Sequence, residues 1–85
     1  MEDTIEITLK LFAVYQEALG VDEKRLTVPV GTTAGAVCDR LIVDYPELAR
    51  WKELTRFGVN LQFVEANTLL NSGDELVLIP PVSGG

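Results

Sequence analysis

Residues 71–81, NSGDELVLIPP, contain the pattern that decides the fold. Residues 71–74 give a strong turn signal, because Asn, Ser, Gly and Asp all favour tight turns. Residues 75–79 then predict a strand, which Pro80-Pro81 ends because proline has no backbone N–H for a sheet hydrogen bond. Residues 76–79 are apolar without interruption. This strand is therefore apolar on both faces, unlike a strand that has one face in water.

The two strands predicted near the start of the chain alternate instead. Apolar residues occupy every second position in residues 5–11 and again in residues 26–30, the period of a half-buried strand. Pro29 predicts an edge position for the second strand. A short helix over residues 12–19, stopped by Gly20, and an acidic turn over residues 21–24 connect them. We expect the two strands to form an antiparallel pair.

The clearest helix follows Gly31, where Thr32 or Thr33 can cap the first turn. Apolar residues continue from there at the spacing of one helix face: Ala34, Val37, Cys38, Leu41, Ile42 and Tyr45. Pro46 ends this helix or starts the next turn. Residues 47–54 are ambiguous, and a second short helix is one interpretation. The alternation over residues 57–63 predicts either one strand or a tight hairpin near Asn60.

Two strands, one long helix and two further strands predict an α+β fold, with a mixed sheet and the main helix across one face. If the last strand lies beside the first, the connection spans the domain and the pair is parallel, as in a ubiquitin-like β-grasp. Composition alone does not separate this fold from other small α+β sheets. We expect one domain over residues 1–79 and an extended, flexible tail over residues 80–85.

Charge and composition exclude several classes of function. The 85 residues include seven basic and thirteen acidic side chains, for a net charge of −6. This argues against binding to nucleic acid or to an anionic membrane and favours a partner with a basic surface. There is no histidine and only one cysteine, which excludes a His-dependent triad, an internal disulfide and a Cys-based zinc site. No metal site is expected.

Two further features favour an ordinary intracellular domain. The longest apolar run, residues 11–15, is far shorter than the ~20 residues of a membrane span. No export signal is indicated, so we expect a cytoplasmic location. Cys38 lies on the apolar helix face and is interpreted as a structural thiol.

A single helix covers only one face of the predicted sheet. The second face of the last strand must therefore be covered by the loop over residues 65–71 or be exposed as a surface for a partner. The strand itself favours neither alternative.

The end of the sequence suggests a chemical role. Pro80-Pro81 restricts the backbone and extends the chain, and Gly84-Gly85 leaves a thin end that could enter a narrow channel. The α-carboxylate of Gly85 is ionised at neutral pH. It could attack the α-phosphate of ATP to form an acyl-adenylate, which sulfide would convert to a thiocarboxylate. The chain has neither a phosphate-binding glycine loop nor a histidine, so partners would catalyse both steps. The alternative is that these C-terminal residues have no function.

Several motifs together resemble one known family. Gly73-Asp74-Glu75, the apolar strand and the ending PPVSGG over residues 80–85 resemble the MoaD-type small subunits of molybdopterin synthase, which are ubiquitin-like sulfur carriers. Leu11-Phe12-Ala13 and Val59-Asn60 extend the similarity to nearly the whole chain. The resemblance implies a β-grasp fold and a carrier that is not itself a catalyst.

The resemblance also implies partners and a reaction. An ATP-dependent adenylating enzyme, related to ubiquitin-activating enzymes, would activate Gly85, and a sulfurtransferase would supply the sulfur. The carrier would bind no cofactor, since the ATP is consumed by the adenylating enzyme. Inserted into the large subunit of molybdopterin synthase, the tail would deliver sulfur to cyclic pyranopterin monophosphate. The complex would be a heterotetramer of two small and two large subunits.

The implied roles fall on two groups of residues. Gly85 would carry the sulfur, Gly84 would be the bare neighbour in the channel, and the extended stem would comprise Pro80, Pro81, Val82 and Ser83. Family members often carry aromatic residues just before the two prolines, where this chain has Leu78 and Ile79. These two residues and Phe12 would form the apolar contact with the partner.

Other functions remain open from the sequence. A ThiS-type thiazole donor or a carrier for tRNA thiolation would share the fold and the Gly-Gly end. A protein modifier would be joined to lysine side chains through Gly85. A plain interaction module would use the apolar last strand and leave the tail without a function. Deleting Gly84 and Gly85 separates the last alternative from a carrier.

Overall fold

One mixed sheet of five strands organises residues 3–81, the residues that the computed structural model describes. In chain order the strands are β1 (Thr4–Leu11), β2 (Glu23–Pro29), β3 (Arg56–Val59), β4 (Gln62–Val64) and β5 (Glu75–Ile79). Their order across the sheet is β2-β1-β5-β3-β4. β5 is parallel to β1 and antiparallel to β3, which confirms the β-grasp arrangement. β2 is an edge strand, as Pro29 predicts, and it begins at Glu23, inside the predicted acidic turn.

Two α-helices, α1 (Val14–Leu19) and α2 (Ala34–Asp44), and one 3-10 helix (Pro46–Leu54) complete the described part of the chain. Gly20 ends α1 in the left-handed conformation, with φ of 77°, which glycine adopts without steric cost. Thr33 caps α2, since its side-chain oxygen accepts a 3.1 Å hydrogen bond from Ala36 N. The short helix that the sequence left ambiguous is therefore the 3-10 helix, and it begins at Pro46.

The core lies between α2 and one face of the sheet. Its fully buried members on the sheet include Leu9 and Leu11 of β1, together with Leu76 and Leu78 of β5. They form one cluster with the buried face of α2, namely Ala34, Val37, Cys38 and Leu41. Ile42 and Tyr45, at the end of the same helix face, are half-buried and pack against this cluster. The helical periodicity therefore identified the core-facing side of α2 correctly.

The loop over residues 65–71 packs against the start of α2 and does not cover the second face of β5. Ala34 N donates to Thr68 O at 3.0 Å, and Gly35 N donates to Ala66 O at 2.8 Å. A Cβ on Gly35 would lie 3.0 Å from Ala66 Cβ, so this close approach favours glycine over a residue with a side chain. The alternative in which the loop hides the second face of β5 is wrong, because backbone bonds hold the loop on the helix side.

A buried chain of polar groups crosses the core. Thr55 Oγ1 donates to Trp51 O at 2.8 Å, so its only proton is used and Tyr15 Oη must donate to Thr55 Oγ1, 2.6 Å away. Cys38 Sγ lies 3.6 Å from Tyr15 Oη. Burial raises the pKa of both the Cys38 thiol and the Tyr15 phenol. Cys38 is 0% exposed and belongs to the core cluster, as its place on the apolar helix face predicts.

The buried phenol predicts that stability falls at alkaline pH. Because burial raises the pKa of Tyr15 in the folded chain, its contribution is complete below about pH 10, the ordinary tyrosine pKa, and is lost as pH rises above that value. We expect the urea midpoint to fall between pH 10 and 11, and to fall less in Tyr15→Phe. Tyr45→Phe is the matched control and should behave like the wild type. Equal pH slopes for Tyr15→Phe and the wild type would contradict this prediction.

Candidate functional site: an apolar patch beside the C-terminal stem

The sheet face opposite α2 has an apolar half formed by β5, β3 and the β3–β4 hairpin. Strand register places Gly58 between Val77 on one side and Phe63 on the other. We call the five apolar residues on this half the apolar patch: Phe12, Leu61, Phe63, Val77 and Ile79. Phe12 is 50% exposed, Leu61 92% and Phe63 75%, while Val77 and Ile79 are half-buried. A contiguous exposed patch of this kind on a small domain is typical of a surface for a partner.

Two shallow grooves run through the patch. One is lined by Lys10, Phe12, Leu61, Glu75, Val77 and Ile79. The other is lined by Gly58, Leu61, Gln62, Phe63, Val77 and Ile79. Leu61, Val77 and Ile79 line both grooves. Gly58 leaves room in the second groove, because it has no side chain between Val77 and Phe63.

The charged half of the same face lies over β1 and β2. Lys10 Nζ is 2.6 Å from Glu23 Oε1, and Arg25 lies 3.9 Å from Glu6. The hydrogen bond between Lys10 and Glu23 raises the pKa of Lys10 and lowers that of Glu23. Both pairs are exposed to solvent, so they add little to stability. Their charges cancel.

Glu75, which lines the first groove, has no ion-pair partner among residues 3–81. Lys10 also lines this groove but is paired with Glu23, so these three side chains together leave one negative charge beside the groove. A partner with a basic rim complements this surface.

Asn60 fastens the hairpin to β5. Its side-chain Nδ2 donates to Asp74 Oδ1 at 2.9 Å, and its Oδ1 accepts from Glu75 N at 3.0 Å. Asp74 Oδ2 also accepts from Asn71 N at 2.7 Å. The sequence marked both segments as turns but gave no sign that they bind each other. Asn60 and Asp74 together fix the position of the hairpin over the grooves.

The structure corrects one of the predicted contact residues. Leu78 is 0% exposed and belongs to the core, so its side chain does not reach the patch, and the prediction that it contacts a partner is wrong. Val77 takes its place, because alternate residues of a strand point to opposite faces. Phe12 and Ile79 do lie on the patch. Sequence reasoning missed Leu61, Phe63 and Val77 as surface residues.

The predicted stem begins directly beside the patch. Pro80 is buried and Pro81 half-buried, and both follow Ile79, which lines the two grooves. The four remaining predicted site residues lie outside the described residues: Val82, Ser83, Gly84 and Gly85. A protein that received these residues would therefore come close to the patch.

Two other kinds of site are absent from residues 3–81. No group of three or more acidic or cysteine side chains comes close enough to hold a metal ion there. The helices of this part of the chain are too short and too polar to cross a bilayer.

Comparisons with known proteins find relatives that match nearly the whole chain. The ThiS family matches residues 9–85. A protein of Arabidopsis thaliana named molybdopterin synthase sulfur carrier subunit is 32% identical over 82 residues, which cover 96% of this chain and 85% of the relative.

Two solved structures are similar in fold. The crystal structure of SAMP1, a small archaeal modifier protein from Haloferax volcanii, has a TM-score of 0.77 and 31% identity, and the match covers 94% of this chain and 99% of that one. A complex of subunits 1 and 2 of molybdopterin-converting factor from Helicobacter pylori contains a chain with a TM-score of 0.58 and 20% identity. That match covers 95% of this chain and 100% of the other, and at this identity it supports the fold alone.

Proposed function

The chain belongs to the ThiS family, and from this premise we propose that it is the sulfur carrier subunit of molybdopterin synthase, with Gly85 as the sulfur-bearing residue. The observation that carries the proposal is the similarity to the Arabidopsis thaliana carrier subunit over 96% of the chain. The apolar patch beside Pro80 adds support, because a carrier needs a docking surface next to the residues that it presents.

The proposed reaction begins with the carboxylate of Gly85. One of its oxygens attacks the α-phosphorus of ATP, a C–O–P linkage forms, and pyrophosphate leaves. A hydrosulfide equivalent from a sulfurtransferase then attacks the acyl carbon, and AMP leaves with the electron pair of the C–O bond. The product is a thiocarboxylate, whose sulfur is a better nucleophile than the original oxygen at neutral pH.

The chain itself contributes docking rather than catalysis to these steps. It has no histidine, and its one thiol, Cys38, is buried. The adenylating enzyme would bind and consume ATP, so the carrier would need no cofactor of its own. The large subunit would cover the apolar patch and receive the residues after Pro81. There the thiocarboxylate would give its sulfur to cyclic pyranopterin monophosphate, and hydrolysis would return the Gly85 carboxylate.

A mass measurement tests the sulfur chemistry. The carrier is incubated with ATP, an adenylating enzyme, a sulfurtransferase and a sulfur source. We expect a species heavier by about 16 Da, the difference between sulfur and oxygen, that fragmentation assigns to Gly85. A persulfide on Cys38 would instead add about 32 Da, and Cys38→Ser is the matched control that should retain the 16 Da shift. Failure of the wild type to gain 16 Da at Gly85 would overturn the carrier proposal.

A second candidate function is attachment of Gly85 to lysine side chains of other proteins. The 31% identity to SAMP1 over nearly the whole chain favours it. Both candidates start from the same adenylate, but a modifier transfers the acyl group to an amine. Isopeptide adducts recovered from cells, with no thiocarboxylate, would favour the modifier over the sulfur carrier.

A further inference from the structure

The turn between β3 and β4 places a leucine in an unfavourable backbone conformation. Val59 pairs with Gln62, so Asn60 and Leu61 form a two-residue turn. Their φ angles are +51° and +72°, as in the tight hairpin turns that prefer the sequence Asn-Gly. Asparagine tolerates positive φ, whereas leucine at the glycine position has its Cβ crowded by the backbone.

Within residues 3–81, no packing contact of the Leu61 side chain offsets this strain. The Leu61 side chain is 92% exposed and does not belong to the hydrophobic core or to the residues packed against it. Glycine would close the same turn without strain. Strained residues of this kind are concentrated where a protein binds or reacts.

The position of Leu61 indicates what it contacts. It lines both grooves of the apolar patch, so its side chain stands between them. Ile79 also lines both grooves, and Pro80 follows it directly. Asn60 N donates to Glu75 O at 3.0 Å, so Leu61 lies at the Glu75 end of β5, and the two grooves connect it along the strand to Ile79. A protein that receives the residues after Pro81 and covers both grooves contacts Leu61 as well.

We propose that Leu61 is the apolar anchor of docking: the strained turn holds its side chain out from the sheet, and the side chain inserts into an apolar pocket of the large subunit. This proposal rests on the proposed function. The negative charge of Glu75 beside the first groove implies a basic residue at the rim of that pocket. In the free carrier, the backbone strain at Leu61 is not offset. In the complex, burial of the Leu61 side chain offsets it.

The test compares Leu61→Gly with the wild type in two measurements. Calorimetric titration with the large subunit from the same organism should show at least a tenfold loss of affinity. The urea midpoint of Leu61→Gly should be equal to or higher than that of the wild type, because glycine relieves the strained turn. Leu61→Asn, which tolerates positive φ but is polar, should lose affinity to a similar extent.

Val43→Asn is the matched control, because Val43 is 78% exposed on α2, on the other side of the sheet. Its affinity should equal that of the wild type. Affinity of Leu61→Gly within twofold of the wild type would overturn this proposal and leave the sulfur carrier intact. If the wild-type carrier is instead a dimer that Leu61→Gly dissociates, with unchanged affinity for the large subunit, a second copy occupies the patch and the proposal is wrong. Absence of any wild-type binding would overturn the proposed function itself.

Discussion

Replacing Leu78 with alanine should lower the free energy of unfolding by about 2–5 kcal/mol, the usual cost of truncating a fully buried leucine. Leu78 is 0% exposed and lies in the core cluster with Leu11, its register partner on β1. The remaining structure can only partly fill the cavity. Because small domains have only about 5–15 kcal/mol of stability in total, a large fraction of it would be lost. Urea unfolding followed by circular dichroism measures this change.

Ile79→Ala is the matched control in the same strand. Ile79 lies on the opposite face and is only half-buried, so its truncation should cost about 1 kcal/mol. It should reduce affinity for the large subunit, since it removes part of the apolar patch. Equal losses of stability in the two variants would contradict the assignment of Leu78 to the core and Ile79 to the patch.

The sequence could not decide which face of the last strand is buried. Alternation reveals the buried face of a strand only when its other face is polar, and residues 76–79 are all apolar. The register with β1 decides it, because Leu9 and Leu11 alternate clearly and pair with Leu76 and Leu78. The pairing of β5 with β1, which is distant in sequence, therefore identifies the buried face that the local pattern of β5 leaves undecided.

The tight hairpin near Asn60, one of the two alternatives for residues 57–63, is confirmed, but the apolar alternation does not show which face of the sheet its second strand presents. The turn at Asn60-Leu61 interrupts the alternation. After the turn the strand runs back, and Phe63 pairs with Gly58 instead of sharing a face with Phe57. Phe57 is consequently buried while Phe63 is 75% exposed. Asn60 marked the turn, but the sequence gave no signal for the face of the residues that follow it.

A hypothesis about the chemistry was easier to form from the sequence than one about the docking surface. The ending PPVSGG is a short, local motif that can be read without knowing the fold. The apolar patch combines Phe12 with the hairpin and with β5, which are distant in sequence and meet only in the folded sheet. Single-sequence patterns describe neighbours along the chain, so they missed Leu61. Phe12 and Ile79 were predicted as contact residues only from the family resemblance.

Deleting Gly84 and Gly85 should reduce thiocarboxylate formation and molybdopterin synthesis to background while leaving the domain folded. The proposed nucleophile is the Gly85 carboxylate, and no other group of the chain can replace it at the same place. The fully buried core comprises residues between Ile7 and Leu78, so the deletion removes none of it, and we expect the urea midpoint to stay within experimental error. The apolar patch is also unchanged, so the truncated carrier should still bind the large subunit and compete with the wild type.

Two further variants test whether activity depends on a carboxylate at Gly85 or on the other residues of the tail. Ser83→Ala keeps Gly84-Gly85 and should support nearly normal sulfur transfer. One alanine added after Gly85 keeps every native residue but moves the carboxylate beyond Gly85, and it should be as inactive as the deletion. Full activity of the deletion variant would show that the tail has no chemical role and that the patch alone acts, as in an interaction module. Activity of the extended variant with its added alanine intact would show that the reaction does not require a carboxylate at Gly85.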